Sequence, residues 1–534
     1  MSVRTFSAWL AALAALVAAA PAHAEKEITP YIEIQQVLDA NLDDGGDVLT
    51  YTTLAAGIDA VVTKRRTQVQ ISYRYEHRFA WDDNSSDEDV HSGLARAAIQ
   101  VVPDVLTLEG GALATRSRVD IRGAAPNPAL SGGDNITQVY SFYAGPTLNT
   151  MVGDLGVNAN YRFGYTKVEA DSDFALPPGQ VPLDVYDDAT NHLASVSVSQ
   201  RPGALPFGWS LGAGWEREDA SQLDQRFDGR FIRGDITVPV SPTLALVGGV
   251  GYEDIEVSQR DALRDANGAP IRDNDGRFVT DPNSERKLAY DIDGLIYDAG
   301  VVWKPGRRTQ LEARVGRRYG GTTVIGSLSH QLSRHAGVQV VVYDGVESFG
   351  RLLSDNIARL PTSFNVPGNP LAGGFNGCIF GESEGTGGCL NDVFQSISTA
   401  NFRSRGINAI YAATQGRTSY GLGLGYAQRK YYAPRFATGF SVNGLKDESW
   451  FAQGYWAYEL SERSGVNASA YLSQYDSGLP FAPDVTSAGA TLAYFHNFSR
   501  RLTGTAALGL YSFDQQGFAS DLTASALAAM RYQF

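Results

Sequence analysis

The sequence predicts an all-β fold, a transmembrane antiparallel up-and-down barrel of about 22 strands, from three observations: alternating strands, alternating connections and a leader followed by no apolar helix. Alternation is plain in "TQVQISYRYEHRFAW", where Val69, Ile71, Tyr73, Tyr75, Phe79 and Trp81 share one face and Gln68, Gln70, Ser72, Arg74, Glu76 and Arg78 the other. Connections between such stretches take turns between short, often basic ones and longer, polar, acidic ones. After the first two dozen residues no apolar run is long enough for a membrane helix, so a chain that crosses a bilayer must do so as a closed barrel.

Composition agrees. The 534 residues include 57 Gly, 26 Tyr and 24 Phe but only 3 Met and 2 Cys, a balance that suits strands better than helical bundles. A net charge of −14 leaves no basic face for nucleic acid.

The leader is "MSVRTFSAWLAALAALVAAAPAHAEKE", with Arg4, an apolar stretch and Ala22-His23-Ala24 before Glu25. It reads as a secretory signal peptide, residues 1–24, leaving a single barrel domain over 25–534. Strand pattern begins soon after Glu25, so no plug domain is expected, and this argues against energy-coupled transport.

The strand pattern recurs in "DLGVNANYRFGYTK", "PFGWSLGAGWER" and "SYGLGLGYAQRK", with aromatics gathering toward strand ends as in barrel girdles. In the last of these, Gly421, Gly423 and Gly425 alternate with leucines and are expected to thin the inner wall. Ten short turns, from Lys64-Arg65-Arg66 to Arg500-Arg501, fall on the periplasmic side, with a longer external loop expected between each successive pair. One stretch, "DQRFDGRFIRGDITVPV", resists assignment of its faces and leaves roughly 18 or 20 strands open as alternatives. The final residues Met530, Tyr532 and Phe534 alternate outward, as an assembly signal for the barrel-insertion machinery would.

The stretches "TPYIEIQQVLDANL", "DVLTYTTLAAGIDAVV" and "VQISYRYEHRFAWDD" resemble a family of β-barrel porins of Gram-negative bacteria (porin-2-like), some associated with exopolysaccharide systems. The resemblance implies a location in the outer membrane, among lipid and lipopolysaccharide, and carries no functional residue over to this chain. No catalytic, cofactor or metal constellation stands out: the histidines are scattered and unpartnered in sequence. The acids Asp82, Asp83, Asp87, Glu88 and Asp89 are candidates for sharing divalent cations with lipopolysaccharide phosphates.

Candidate lumen-lining residues are Arg74, Glu76, Arg78, Arg162, Glu216, Glu312, Arg314, Arg318 and Arg531, a wall of both signs. Cys378 and Cys389 lie in one external loop, about 350–399, and an oxidising envelope predicts a disulfide between them. That loop is apolar through Leu371, Phe375, Ile379, Phe380, Leu390 and Phe394, so it is expected to pack over or into the barrel mouth. The expected function is a non-enzymatic, porin-like channel for small polar or oligosaccharide solutes. Exopolysaccharide export or envelope assembly, and a structural surface barrel without transport, are the alternatives; the oligomeric state is left open.

Overall fold

In the computed structural model the described residues are 25–534 without 44–47, 82–86, 119–135, 170–183, 204, 366–369, 372–374, 376, 382–386, 435–440, 480–483 and 516–519. The leader, Asp82, Asp83 and most of two acidic loops thus lie outside the described residues. Twenty-two antiparallel strands form one sheet. It closes where the first strand, Glu25–Asn41, pairs with the last, Asp521–Gln533, from Tyr31↔Gln533 to Asn41↔Thr523. Closure leaves no strand edge to lipid, which is what permits strands to satisfy their backbone in a bilayer.

Alternation sorts each strand into two faces. Ile32 and Ile34 point out and are half exposed, whereas Tyr31, Glu33, Gln35 and Val37 point in and are buried. The outer belt continues through Leu211, Ile232, Val250, Leu295, Val315, Leu472 and Leu508. Aromatics mark its edges: Trp303, Trp456, Tyr458, Tyr532 and Phe534 near the short turns, Tyr426 tilted against Trp450 at 4.3 Å toward the other end. Met530, Tyr532 and Phe534 stand exposed on this outer face at the closing seam.

All ten short turns connect neighbouring strands at one end of the barrel. The strict alternation of lengths fails twice at the other end. Residues 221–224 make a four-residue connection containing one turn of 3-10 helix, and Tyr319-Gly320 is a two-residue turn. The latter is tight because both residues take positive φ, 53° and 69°, the conformation a type I′ hairpin demands.

The stretch that resisted assignment is the strand Gln225–Pro239. Ile232, Ile236 and Val238 face out and Arg233 and Asp235 face the lumen, in phase throughout. Its pattern is obscured because Phe227 faces inward and is buried, while Arg226 and Arg230 lie on the outward side beyond the apolar belt, paired with Asp219 and Asp228.

A closed strand barrel with an apolar belt, an even strand number and short turns at one end has the build of a bacterial outer-membrane barrel, and the protein is integral to that membrane.

Candidate functional site: the lumen and the loop inside it

The connection from Glu347 to Asn401 does not stay outside. Ser348 caps a helix, α1 (Phe349–Arg359), by accepting a hydrogen bond from the Arg351 backbone N–H. Phe349, Leu352, Leu353 and Ile357 lie on the buried side of α1 and pack on Leu94, Leu113, Val139 and Val168 of the wall. Leu371, further along, packs on Val37, Ala493, Ala507 and Leu527, inward-facing residues of the strands around the closing seam. Only a segment within the lumen can touch both.

Polar residues of the wall fix the segment at successive points. Asn191 donates to Ser354 at 2.8 Å, and Arg162 is ion-paired with Asp355. At the far end of α1 the Arg96 guanidinium donates to the carbonyls of Ala358 (3.0 Å) and Leu360 (2.9 Å), supplying positive charge and donors where a helix C-terminus needs both. The Gln70 side-chain amide donates to the Phe364 carbonyl at 2.7 Å and accepts from its N–H at 2.8 Å, as a neighbouring strand would.

The chain then forms a small three-stranded sheet of Phe364–Asn365, Cys378–Gly381 and Gly387–Cys389, in which Cys378 faces Cys389 and the two are joined by a disulfide. Its seat is the strand Thr418–Tyr432. A Cβ on Gly423 would come within 2.3 Å of the Cys378 sulfur and one on Gly421 within 2.8 Å of the Phe380 ring, so these glycines make room for the hairpin. The Cys378 N–H donates to Gln453 at 2.7 Å. On the way out Asp392 accepts from the Tyr343 hydroxyl (2.9 Å), Gln395 donates to Ser473 (3.0 Å), and Ser396 accepts from Arg429, itself paired with Asp447.

Arg351 is the largest fully buried side chain of α1. It lies over the Phe227 ring at 3.5 Å, with Glu216 and Glu347 at 3.6 and 3.5 Å, while Glu218 accepts from Ser348. Burial alone would lower its pKa; the surrounding Glu216, Glu347, Glu218 and Asp355 carboxylates reverse that and hold it charged. Burial pushes the Asp392 carboxyl above its ordinary range, against the Tyr343 hydroxyl and Arg429.

The remaining wall is different. Apart from the Phe227 ring beneath Arg351, the hydrogen bonds and ion pairs named above that fix the loop end on strands before Gln225 or after Ser333. Between them lies a lattice of charges: Arg233 meets Asp235 at 2.8 Å and Asp298 at 2.5 Å, and Arg314 meets Asp235 at 2.7 Å, Glu312 at 2.8 Å and Asp298 at 3.3 Å. Arg318 pairs with Glu253 at 2.6 Å. Beside the lattice the wall continues through Ser195, Ser197, Gly212 and Gly214, none of them buried.

The nine residues singled out from sequence fall in three groups. Arg74, Glu76, Arg78 and Arg531 form one network, Arg74 and Arg531 sharing Glu33. Arg162 and Glu216 contact α1. Glu312 and Arg314 belong to the lattice, with Arg318 nearby. Of the external acids, Glu88 is taken by Arg78 and Arg116 and Asp89 by His77. Among the described residues no cluster of His, Cys, Asp and Glu could hold a metal ion. Sequence reading missed α1, whose signal was Ser348 followed by apolar residues at helical spacing, and with it Arg96, Gln70, Arg351 and Asp355.

No family model matches the chain, and no curated protein matches it. Among solved structures it is similar to the FrpB iron transporter from Neisseria meningitidis, at 9% identity over 95% of this chain and 82% of that one, with a TM-score of 0.45. It is also similar to the ferric-catecholate import receptor Fiu from E. coli K12 in its open form, at 11% identity over 94% and 81%, TM-score 0.44. The alcaligin receptor FauA from Bordetella pertussis is similar at 12% identity over 94% and 76%, TM-score 0.41. No residue role passes from them to this chain.

Proposed function

We propose that the protein is a channel for passive passage of small polar solutes, oligosaccharides among them, and that they move along the wall between Gln225 and Ser333. The observation that carries this reading is the one-sided docking of the inner loop. Its apolar hairpin and helix are bonded to the other strands, while the Arg233–Asp235–Asp298–Arg314–Glu312 lattice keeps partial exposure. Two guanidiniums against three carboxylates leave a net charge near −1, so the passage suits neutral and zwitterionic solutes and discriminates weakly between ions. The wall bonds that hold the segment inside the barrel support the loop as what narrows the lumen. Swelling of proteoliposomes tests the proposal: small sugars and zwitterionic amino acids should enter at similar size-dependent rates. Sealed liposomes, together with no conductance in planar bilayers, would leave the structural reading in its place.

A further inference from the structure

On the outer face, away from the lumen, four successive strands (Lys446–Ser461, Ser464–Asp476, Val485–Asn497 and Leu502–Gln515) enclose an apolar groove of about 610 Å³. Its floor is Gly454, Ala468, Ala470 and Ala490; Trp456 and Leu508 flank it and are 42% and 63% exposed. Crossing four strands takes three steps of ~4.8 Å, so the groove is about 14 Å long. Lipid must fill such a hollow in a bilayer, because nothing polar can.

Directly below, the turns joining these strands carry Arg463, Arg500 and Arg501, all exposed, with Glu462 as the one acid beside them. Among the described residues none of the three arginines is in an ion pair, unlike the lumen arginines. From Arg463 to Ala468 is five residues, about 16 Å of strand and less along the membrane normal once tilted. One hydrocarbon leaflet is about half of ~30 Å. A chain whose headgroup sits at the arginines therefore has the reach to lie in the groove. The Tyr458 ring, stacked 5.9 Å from Trp456 at the groove's flank, stands between the two at interface height.

The geometry points to a binding site for an anionic phospholipid of the periplasmic leaflet, its phosphate on Arg463, Arg500 and Arg501 and one acyl chain in the groove. Positive charge at the turns selects the headgroup; the small floor residues accept the chain. The site is independent of what passes through the lumen.

Native mass spectrometry of the full-length protein, released from micelles containing equal dioleoyl-phosphatidylglycerol and dioleoyl-phosphatidylcholine, tests it. The wild type should retain the anionic lipid several-fold over the zwitterionic one. Arg463→Gln with Arg500→Gln and Arg501→Gln should bring the ratio to parity, and Ala470→Phe with Ala490→Phe should abolish retention of either lipid, while Ala299→Phe on the outer face elsewhere changes nothing. If the groove-filling variant does not insert, the arginine variant decides alone. Equal retention by the wild type, an unchanged ratio in the arginine variant, or a discrete oligomer that only the groove-filling variant dissolves would overturn the assignment, the last in favour of a second copy of the chain.

Discussion

The two sides of the lumen are built from different residues, and the difference decides where the loop lies. On the covered side polar wall residues hold the loop's own polar groups, while the inward positions beneath the apolar parts of the loop are small or apolar, Gly421 and Gly423 under the disulfide hairpin and Ala493, Ala507 and Leu527 under Leu371. Left bare, they would expose an apolar patch to channel water, which the loop's own apolar side chains remove. On the open side Arg233, Asp235, Asp298 and Arg314 satisfy one another, and covering them would cost desolvation that no apolar loop could return. The segment's charges sit accordingly: Arg351 and Asp355 meet opposite charges on the wall, and the hairpin carries none in its described strands.

The comparison breaks most completely if the loop is removed. Replacing residues 349–399 by a short polar link should leave a folded barrel, because all barrel pairings are independent of the segment, and should raise single-channel conductance several-fold. Unchanged conductance would mean that the segment does not narrow the lumen.

Next in size is unseating the hairpin. Gly423→Leu would drive a side chain into the disulfide, a clash of the kind that costs about 1–3 kcal/mol in packed interiors. Conductance should rise, whereas Gly212→Leu, where a Cβ meets nothing nearer than 3.5 Å on the open side, should lower it. Reducing the Cys378–Cys389 bond, which spans 11 residues, removes on the order of 2–3 kcal/mol of constraint and should act in the same direction as Gly423→Leu but more weakly.

Arg96→Met sharpens the account of α1. Losing charged donors to the Ala358 and Leu360 carbonyls costs about 1.5–3 kcal/mol per bond, felt locally. Amide exchange at Ile357 and Leu360 should accelerate while the barrel strands keep their protection; uniform protection would show that the cap is dispensable.

These effects also mark what could be read in advance. The strand faces, ten short turns and 22-strand count follow from alternation and turn residues, which are local properties. The two short external connections escaped because loop length was taken as the guide to side, whereas Tyr319-Gly320 is short for a reason of backbone conformation. The apolar character of the long loop was legible, but its seat was not: Gly423 against Cys378 or Gln70 against Phe364 joins positions tens to hundreds of residues apart, and nothing periodic links them. Arg233 and Asp298 were missed because each looks like any inward charge until register sets them 2.5 Å apart.

On the open side, Asp298→Asn removes a carboxylate shared by Arg233 and Arg314 and takes the local charge from near −1 to near zero. Reversal potentials in a salt gradient should shift modestly toward anions. The shift should shrink as ionic strength rises and the screening length falls from ~10 Å toward ~3 Å. No shift at low salt would place ion flow elsewhere in the lumen.

The smallest effect concerns the roof of that same side. Residues 184–187 clasp the loop 260–286: Asp184 accepts from the Phe278 N–H at 2.8 Å, and Arg277 pairs with Asp187 at 3.1 Å. Burial pushes the Asp184 carboxyl up to about 7 from 3.8; the N–H groups of Phe278 and Val185 oppose this, Asp273 adds to it and Arg277 opposes it. Because the folded value is the higher one, the docked loop binds this proton more tightly than the released loop. Its contribution is fully present below 3.8 and is lost as pH rises through about 7. After correction for intrinsic rates, the Phe278 amide should exchange faster at about pH 8 than at about pH 5.5, with Ile357 of α1 as a reference on the covered side. Asp184→Asn, which keeps an acceptor and cannot titrate, should flatten that dependence. A pH effect that survives the substitution would assign it to Asp187, whose carboxyl burial also pushes up, and leave Asp184 a mere hydrogen-bond acceptor.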